Sequence, residues 1–224
     1  MVPVAAALGA LLAWIWARAL RRRRLPGRTL IISPRKSTVI AADGAVRSTQ
    51  TARLELPRAE LERLWAPANL ENLGRTYWLF LTRSTLGLIR VHYTEHDRSV
   101  ALLARPLTLL RFEAPEYLLE GDRGRISWRI RDGLLVSRAG ANLGGLSLEV
   151  TRTDSDSDSD PAALTIEVEV ANFYPSIASG LSTAVYEATQ AFIHVLVTHA
   201  FLRSLATLEL AESKVGRLRP DEQV

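Results

Sequence analysis

The chain of 224 residues contains no cysteine, a single methionine and only 7% aromatic residues. Without cysteine, disulfide frameworks, thiolate nucleophiles and cysteine-held zinc or iron–sulfur centres are excluded. The small aromatic share, set against 47% hydrophobic residues, implies a mainly aliphatic interior. Gly-x-Ser-x-Gly elbows, Walker loops and dinucleotide fingerprints are also missing, so nucleotide binding has no support. Histidine occurs four times, as His92, His96, His194 and His199. His92 and His96 flank a turn, and two histidines without further ligands at fixed spacing do not make a metal site. The acidic tract TDSDSDSDP, residues 153–161, lacks the central glycine and closing glutamate of a calcium loop. It reads as a solvated hairpin tip. No metal and no cofactor is expected.

Acidic residues are absent from one region in particular. Residues 1–28 hold six arginines (Arg18, Arg21, Arg22, Arg23, Arg24 and Arg28) and no acid. Of the chain's 28 basic residues this leaves 22 against 24 acidic ones in residues 29–224, a net charge of −2. The pI near 9.8 therefore belongs to the N-terminal segment. A domain that binds phosphate backbones keeps its basic excess in the folded part, so no nucleic-acid partner is expected.

Residues 2–20 form an apolar run, VPVAAALGALLAWIWARAL, followed at once by four arginines. A helix of that length reaches about 28 Å, close to the hydrocarbon thickness of a bilayer. Trp14 and Trp16 sit near its end, where indole rings favour the interface. A cleaved export signal needs a basic stretch before the run and small residues after it; here arginines occupy the cleavage position. Residues 1–24 thus read as a transmembrane anchor, with an export signal or a peripheral helix as competing readings. The positive-inside rule puts the remainder in the cytoplasm, as a single-pass membrane protein.

After Pro26-Gly27, residues 25–45 read as a linker or a short edge hairpin. VRSTQTARLEL, from Val46, alternates as a strand. Pro57 opens a short helix, and a second short turn, ANLENLG, ends at Gly74 as a plausible C-cap. Candidate strands follow at 76–82, 86–93, 98–104, 107–119, 124–131, 133–138, 145–152 and 163–171, with Asp132-Gly133 as a hairpin signal. Ile126, Trp128 and Ile130 oppose Arg125, Ser127, Arg129 and Arg131, and Leu146, Leu148 and Val150 oppose Ser147, Glu149 and Thr151. Leu164, Ile166, Val168 and Val170 oppose Thr165, Glu167 and Glu169. This is the alternation of an antiparallel sheet with one covered and one wet face, across which arginine and glutamate can pair. Pro175 precedes SIASGLSTAVYEATQAFIHVLVTHAFLRSLATLEL, residues 176–210, whose stripe from Ile177 to Leu205 predicts one long helix. Glu187, Gln190, His194, His199 and Arg203 make a second membrane span expensive there. Residues 213–224 form a charged tail.

Two stretches carry a family resemblance. TIEVEVANFYP runs into the long C-terminal segment as a last strand that bends into a gripped helix, and TARLELPRAELERLWA looks like an opening strand and helix. The order resembles the START-like, helix-grip superfamily that includes polyketide cyclase/dehydrase-like proteins, over residues 46–212. The resemblance implies an α+β domain in which a curved antiparallel sheet of about seven strands surrounds the long C-terminal helix. It also implies an apolar cavity between sheet and helix that takes a hydrophobic small molecule or lipid. Trp128, Ile130, Val168, Phe192, Leu196 and His199 are the candidate ligand-binding residues. His199 with Tyr77, Tyr93 or Tyr117 offers a base and a donor for an enolate oxygen. Three functions follow as expectations: a membrane-anchored binding or transfer domain, a cyclase/dehydratase acting on an apolar carbonyl substrate, or a tethered interaction protein with a filled core.

Overall fold

A computed structural model describes residues 25–33, 37–93, 97–102, 107–153, 161–176, 195 and 197–213. The apolar run 2–20, His96, His194, most of the acidic tract and most of residues 176–196 lie outside the described residues. Among the described residues no helix is long and apolar enough to cross a membrane.

Ten strands form one antiparallel sheet: β1 (Arg28–Ile31), β2 (Thr38–Ile40), β3 (Val46–Leu56), β4 (Ile89–Tyr93), β5 (Asp97–Leu102), β6 (Thr108–Glu113), β7 (Glu116–Glu120), β8 (Arg123–Asp132), β9 (Gly145–Arg152) and β10 (Ala162–Phe173). Seven of them run in the order β3-β10-β9-β8-β6-β5-β4, so the first long strand lies beside the last. The other three are short additions to the expected seven. β1 and β2 pair with successive parts of one edge of β3, and β7 pairs with the first half of β8. The expected strand 107–119 is two strands. Ala114-Pro115 interrupts it, because proline has no N–H for the ladder.

The inward row follows the alternation of the sequence. Ile126, Leu148 and Val168 stand in register and are each 0% exposed, as β8, β9 and β10 bring them side by side. On the opposite face, Arg123 donates to Glu149 at 2.6 Å and Arg47 pairs with Glu169. Helices α1 (Arg58–Leu64), α2 (Pro67–Ser84) and α3 (residues 197–204) complete the described elements. Phe201 and Leu202 of α3 are fully buried, and Tyr77 of α2 meets Phe201 edge-on at 5.1 Å. α3 passes into a 3₁₀ turn, Leu205–Thr207, and ends at Leu208 in a left-handed conformation, short of the expected Leu210.

Two expectations are corrected. Residues 76–82 are helix and not strand: α2 runs straight through Gly74 to Ser84. Gly74 is a contact glycine. A Cβ there would stand 3.1 Å from both Ile126 Cδ1 and Trp128 Cζ2, so the missing side chain lets α2 lie against β8. Tyr77, Trp78 and Phe80, read as strand formers, are the buried face of that helix. Residues 133–138 likewise do not form a hairpin with β8. Beyond Gly133 the chain turns to β6, where Leu134 and Leu135 donate to the carbonyls of Thr108 and Leu109. Gly133 has φ 145°, and a Cβ there would stand 2.2 Å from the Leu109 carbonyl oxygen, so no side chain can occupy the position.

Replacing Gly74 by valine forces either α2 or Trp128 to move. The expected cost is about 2 kcal/mol of stability, typical of overpacking. It appears as a lower urea midpoint with unchanged slope.

Candidate ligand cavity

A space of about 400 Å³ lies on the inward face at one end of the sheet. Its wall comes from nearly every element: Val46 and Ser48 of β3, Val170 and Phe173 of β10, Leu146 of β9, Ile130 of β8, Leu110 and Phe112 of β6, Tyr77 and Leu81 of α2, and Val197 of α3. The lining is almost wholly apolar, and the volume falls in the range of small-molecule sites. The cavity stops against an aromatic block in which Trp78 packs on Trp128 and Phe112, each at 5.2 Å between ring centres. Beyond the block, under α1, lies a second apolar space of about 80 Å³ bounded by Leu54, Leu61, Leu70, Leu164 and Leu205.

Polar groups gather at one side of the large cavity. The inward row of β3 reads Ser48, Gln50, Ala52, Leu54, Leu56, turning from polar to apolar along the strand. Gln50, 0% exposed, accepts from His199 Nε2 at 2.6 Å and donates to Ser37 Oγ. Its amide reaches Ser48 Oγ at 3.5 Å, and Ser48 shares a hydrogen bond with Thr38 at 3.0 Å. Thr38 and Ser48 both line the cavity. A relay of hydrogen-bonding side chains therefore runs from His199 to the cavity wall. Burial, and next the positive charge of Arg203, hold the His199 imidazole below its ordinary pKa. The neutral ring with its proton on Nε2 fits the acceptor Gln50 Oε1. Burial pushes the Tyr77 phenol up to about 12. Tyr77 is thus a neutral donor at physiological pH.

The sequence-predicted residues are distributed over several places. Ile130 lines the large cavity. Trp128 sits in the aromatic block and borders a separate space of about 20 Å³. Val168 is fully buried in the sheet face. His199 meets the cavity through Gln50. Phe192 and Leu196 lie outside the described residues. Of the tyrosines considered with His199, Tyr77 lines the large cavity, whereas Tyr93 and Tyr117 border the small space. There the Arg75 and Arg98 guanidiniums lie 4.3 and 5.0 Å from the Tyr93 ring centre. Burial raises the Tyr93 phenol and these two charges oppose the shift. Glu71 Oε1, Trp78 Nε1 and the Tyr93 hydroxyl are buried there without a hydrogen-bond partner among the described residues. His92 stands on β4 with its Nε2 buried and likewise unpartnered among them. No cluster of three His, Asp or Glu able to hold a metal occurs among the described residues.

Ser48 and Gln50 were not singled out from the sequence. Counting back in twos from Leu54 and Leu56 places both on the inward row, and that was the available signal.

The antiparallel sheet with a helix packed on its inward face is consistent with a helix-grip fold. No family model matches the chain, and no curated protein matches it. Among solved structures it is similar to an uncharacterized protein from Bacillus thuringiensis, at 14% identity over 73% of this chain and 99% of that one, TM-score 0.37. It is similar to human STARD10 at 11% identity over 83% and 71%, TM-score 0.33. It is also similar to human StAR-related lipid transfer protein 5 at 12% identity over 93% and 99%, TM-score 0.32.

The depressed pKa of His199 fixes a sign for pH dependence. An unfolded histidine takes up its proton near pH 6.5, while the folded one resists until lower pH. The stability contributed by the neutral ring is therefore complete above about pH 6.5 and declines as pH falls towards the folded pKa. Urea titrations between pH 5 and 8 should show this decline in the wild type. In His199→Gln the decline should be smaller.

Proposed function

We propose that the protein is a membrane-anchored binding or transfer domain for a hydrophobic small molecule or lipid, held in the cavity between the sheet and the C-terminal helix. The observation that carries this reading is the 400 Å³ space itself, apolar on nearly all sides, with one polar edge at Thr38 and Ser48. A filled core would serve an interaction protein as well or better, since an unfilled apolar space forfeits dispersion contacts. The polar edge orients a ligand with one hydroxyl or carbonyl group, and the apolar wall takes the remainder.

In this reading residues 2–20 form the anchor, Arg21 to Arg24 mark the cytoplasmic side, and residues 46–212 are the ligand domain. Tethering raises the effective concentration of membrane lipid at the cavity. Ile130 contacts the ligand directly, Phe192 and Leu196 are further candidate ligand contacts, and Trp128 and Val168 support the wall. His199 sets the orientation of Gln50 and through it the polar edge. A cyclase/dehydratase reading calls for a base and an oxyanion donor converging on one point. The donor Tyr77 lines the cavity, but His199 is committed to Gln50, so the binding reading is favoured.

Native mass spectrometry of the full chain in detergent, followed by organic extraction, tests the proposal. A discrete added mass released by solvent is the expected result. Val170→Trp places an indole in the middle of the cavity and should lower ligand occupancy at least tenfold, about 1.4 kcal/mol, with the fold retained by circular dichroism. A clean ligand-free mass with no gain in melting temperature across a panel of lipids and polyketides would refute it.

A further inference from the structure

The two ends of the sheet differ in kind. At one end lie the last residue of β2, the starts of β3, β4, β6 and β9, and the ends of β5, β8 and β10, as the antiparallel registers require. The large cavity reaches this end through Ile40, Ile89, Leu109 and Leu135. Around it stand Leu86 (71% exposed), Leu134 (57%), Leu143 (55%), Leu88 (51%) and Leu107 (46%). Most of the large exposed hydrophobic residues of the described chain fall on this single rim. Leu86 is also held at φ 54°, a conformation that costs a leucine energy and that asparagine or glycine adopts readily. Folding gives no reason for a leucine there.

Charge at this end is one-sided. Arg83, Arg90 and Arg138 are exposed beside the rim, and no ion pair engages them among the described residues. The acids nearby are occupied: Asp43 accepts from the Tyr174 hydroxyl at 2.8 Å, and Asp132 pairs with Arg111 and Arg131. An apolar tip within a basic collar is the composition of a surface that enters an anionic lipid interface.

The N-terminal segment joins the domain at the other end. Arg28 pairs with Glu55 near the end of β3, about 30 Å of strand away from Val46 at the rim. Gly27 is pinned there: its N–H donates to the Ala206 carbonyl at 3.0 Å, and a Cβ would meet Leu54, Ala206 and Glu55 at 3.2–3.3 Å. Only six residues, Arg21 to Pro26, separate Leu20 from Gly27, a reach of roughly 24 Å when fully extended and shorter than the strand that leads to the rim. A membrane holding residues 2–20 therefore faces the closed end of the domain, and the rim points away from it.

We infer that the rim docks on a second, apposed anionic bilayer, so that the cavity exchanges its ligand with a membrane other than the one carrying the anchor. This rests on the anchored, ligand-binding reading above and adds the direction of exchange.

The test uses the full chain reconstituted into phosphatidylcholine vesicles and mixed with separate vesicles containing phosphatidylserine. The wild type should cluster the two populations in co-flotation and light scattering, and clustering should weaken as salt rises. The triple change Leu86→Asp, Leu88→Asp and Leu134→Asp lies outside the cavity wall. It should reduce clustering at least tenfold while the ligand mass seen by native mass spectrometry is retained. Because the chain has no cysteine, Ala139→Cys gives a unique site for an environment-sensitive dye at the rim. Its emission should shift to the blue only when the second vesicles are added.

A blue shift on the carrier vesicles alone would mean that the rim folds back on its own membrane and would overturn the inference. Clustering unchanged by the triple substitution would do the same, as would absence of clustering by a correctly reconstituted, ligand-loaded protein. If the chain fails to float with the carrier vesicles, the anchor reading falls and this inference with it. Ligand loading reports separately on the cavity.

Discussion

The approach of α2 to β8 at Gly74 is the contact on which the interior depends. A helix can lie against a sheet only as closely as the side chains between them permit, and here one side chain is missing and a tryptophan fills the place. That contact sets Trp78 against Trp128 and Phe112, forming the aromatic block. One turn further along, Tyr77 and Leu81 face open space instead of sheet. The cavity is thus a product of where the helix touches. The block closes it on one side, and the helix and the bent end of β10 bound it on the others. The register shift between Val170 and Phe173, with Asn172 at φ 51°, turns the last strand towards α3 at the cavity's edge.

The polar edge illustrates how cheaply a binding surface can be oriented. A buried amide such as Gln50 is costly unless all its groups are matched. It is matched here by one residue from α3 and one from the segment ahead of β2, and Ser48 stands within 3.5 Å. Each of these elements belongs to a different part of the chain, so the arrangement forms only once β2, β3 and α3 have assembled. The short strands added to the edge of β3 are therefore part of the site as well as part of the sheet.

Much of the fold was legible from residue order. The period-two rows of β8, β9 and β10 placed Ile126, Leu148 and Val168 inside, because one face of that sheet is wet and its arginines and glutamates mark it. α2 was not legible beyond Gly74. Its tyrosine, tryptophan and phenylalanine are good strand formers, and a glycine after a short helical turn has the look of a cap. Only contact with Trp128, more than fifty residues away in sequence, reveals why that glycine belongs within a helix. The Asp132-Gly133 turn misled for a related reason, since Gly133 is set by the Leu109 carbonyl and not by its neighbours. Long-range contact, which no local window contains, decided both. The cavity wall was legible in part, through Ile130, while Ser48 and Gln50 passed as ordinary strand polarity.

The pairing of β1 with β3 also has a mechanical meaning. Its four residue pairs run antiparallel from Arg28 to Ile31, with hydrogen bonds perpendicular to the strands. A pull entering through residue 25 acts along β1, so it loads these bonds together in shear and does not peel them open one after another. The strand that joins the domain to its N-terminal segment is thus a splice: a pull along it meets all four residue pairs at once.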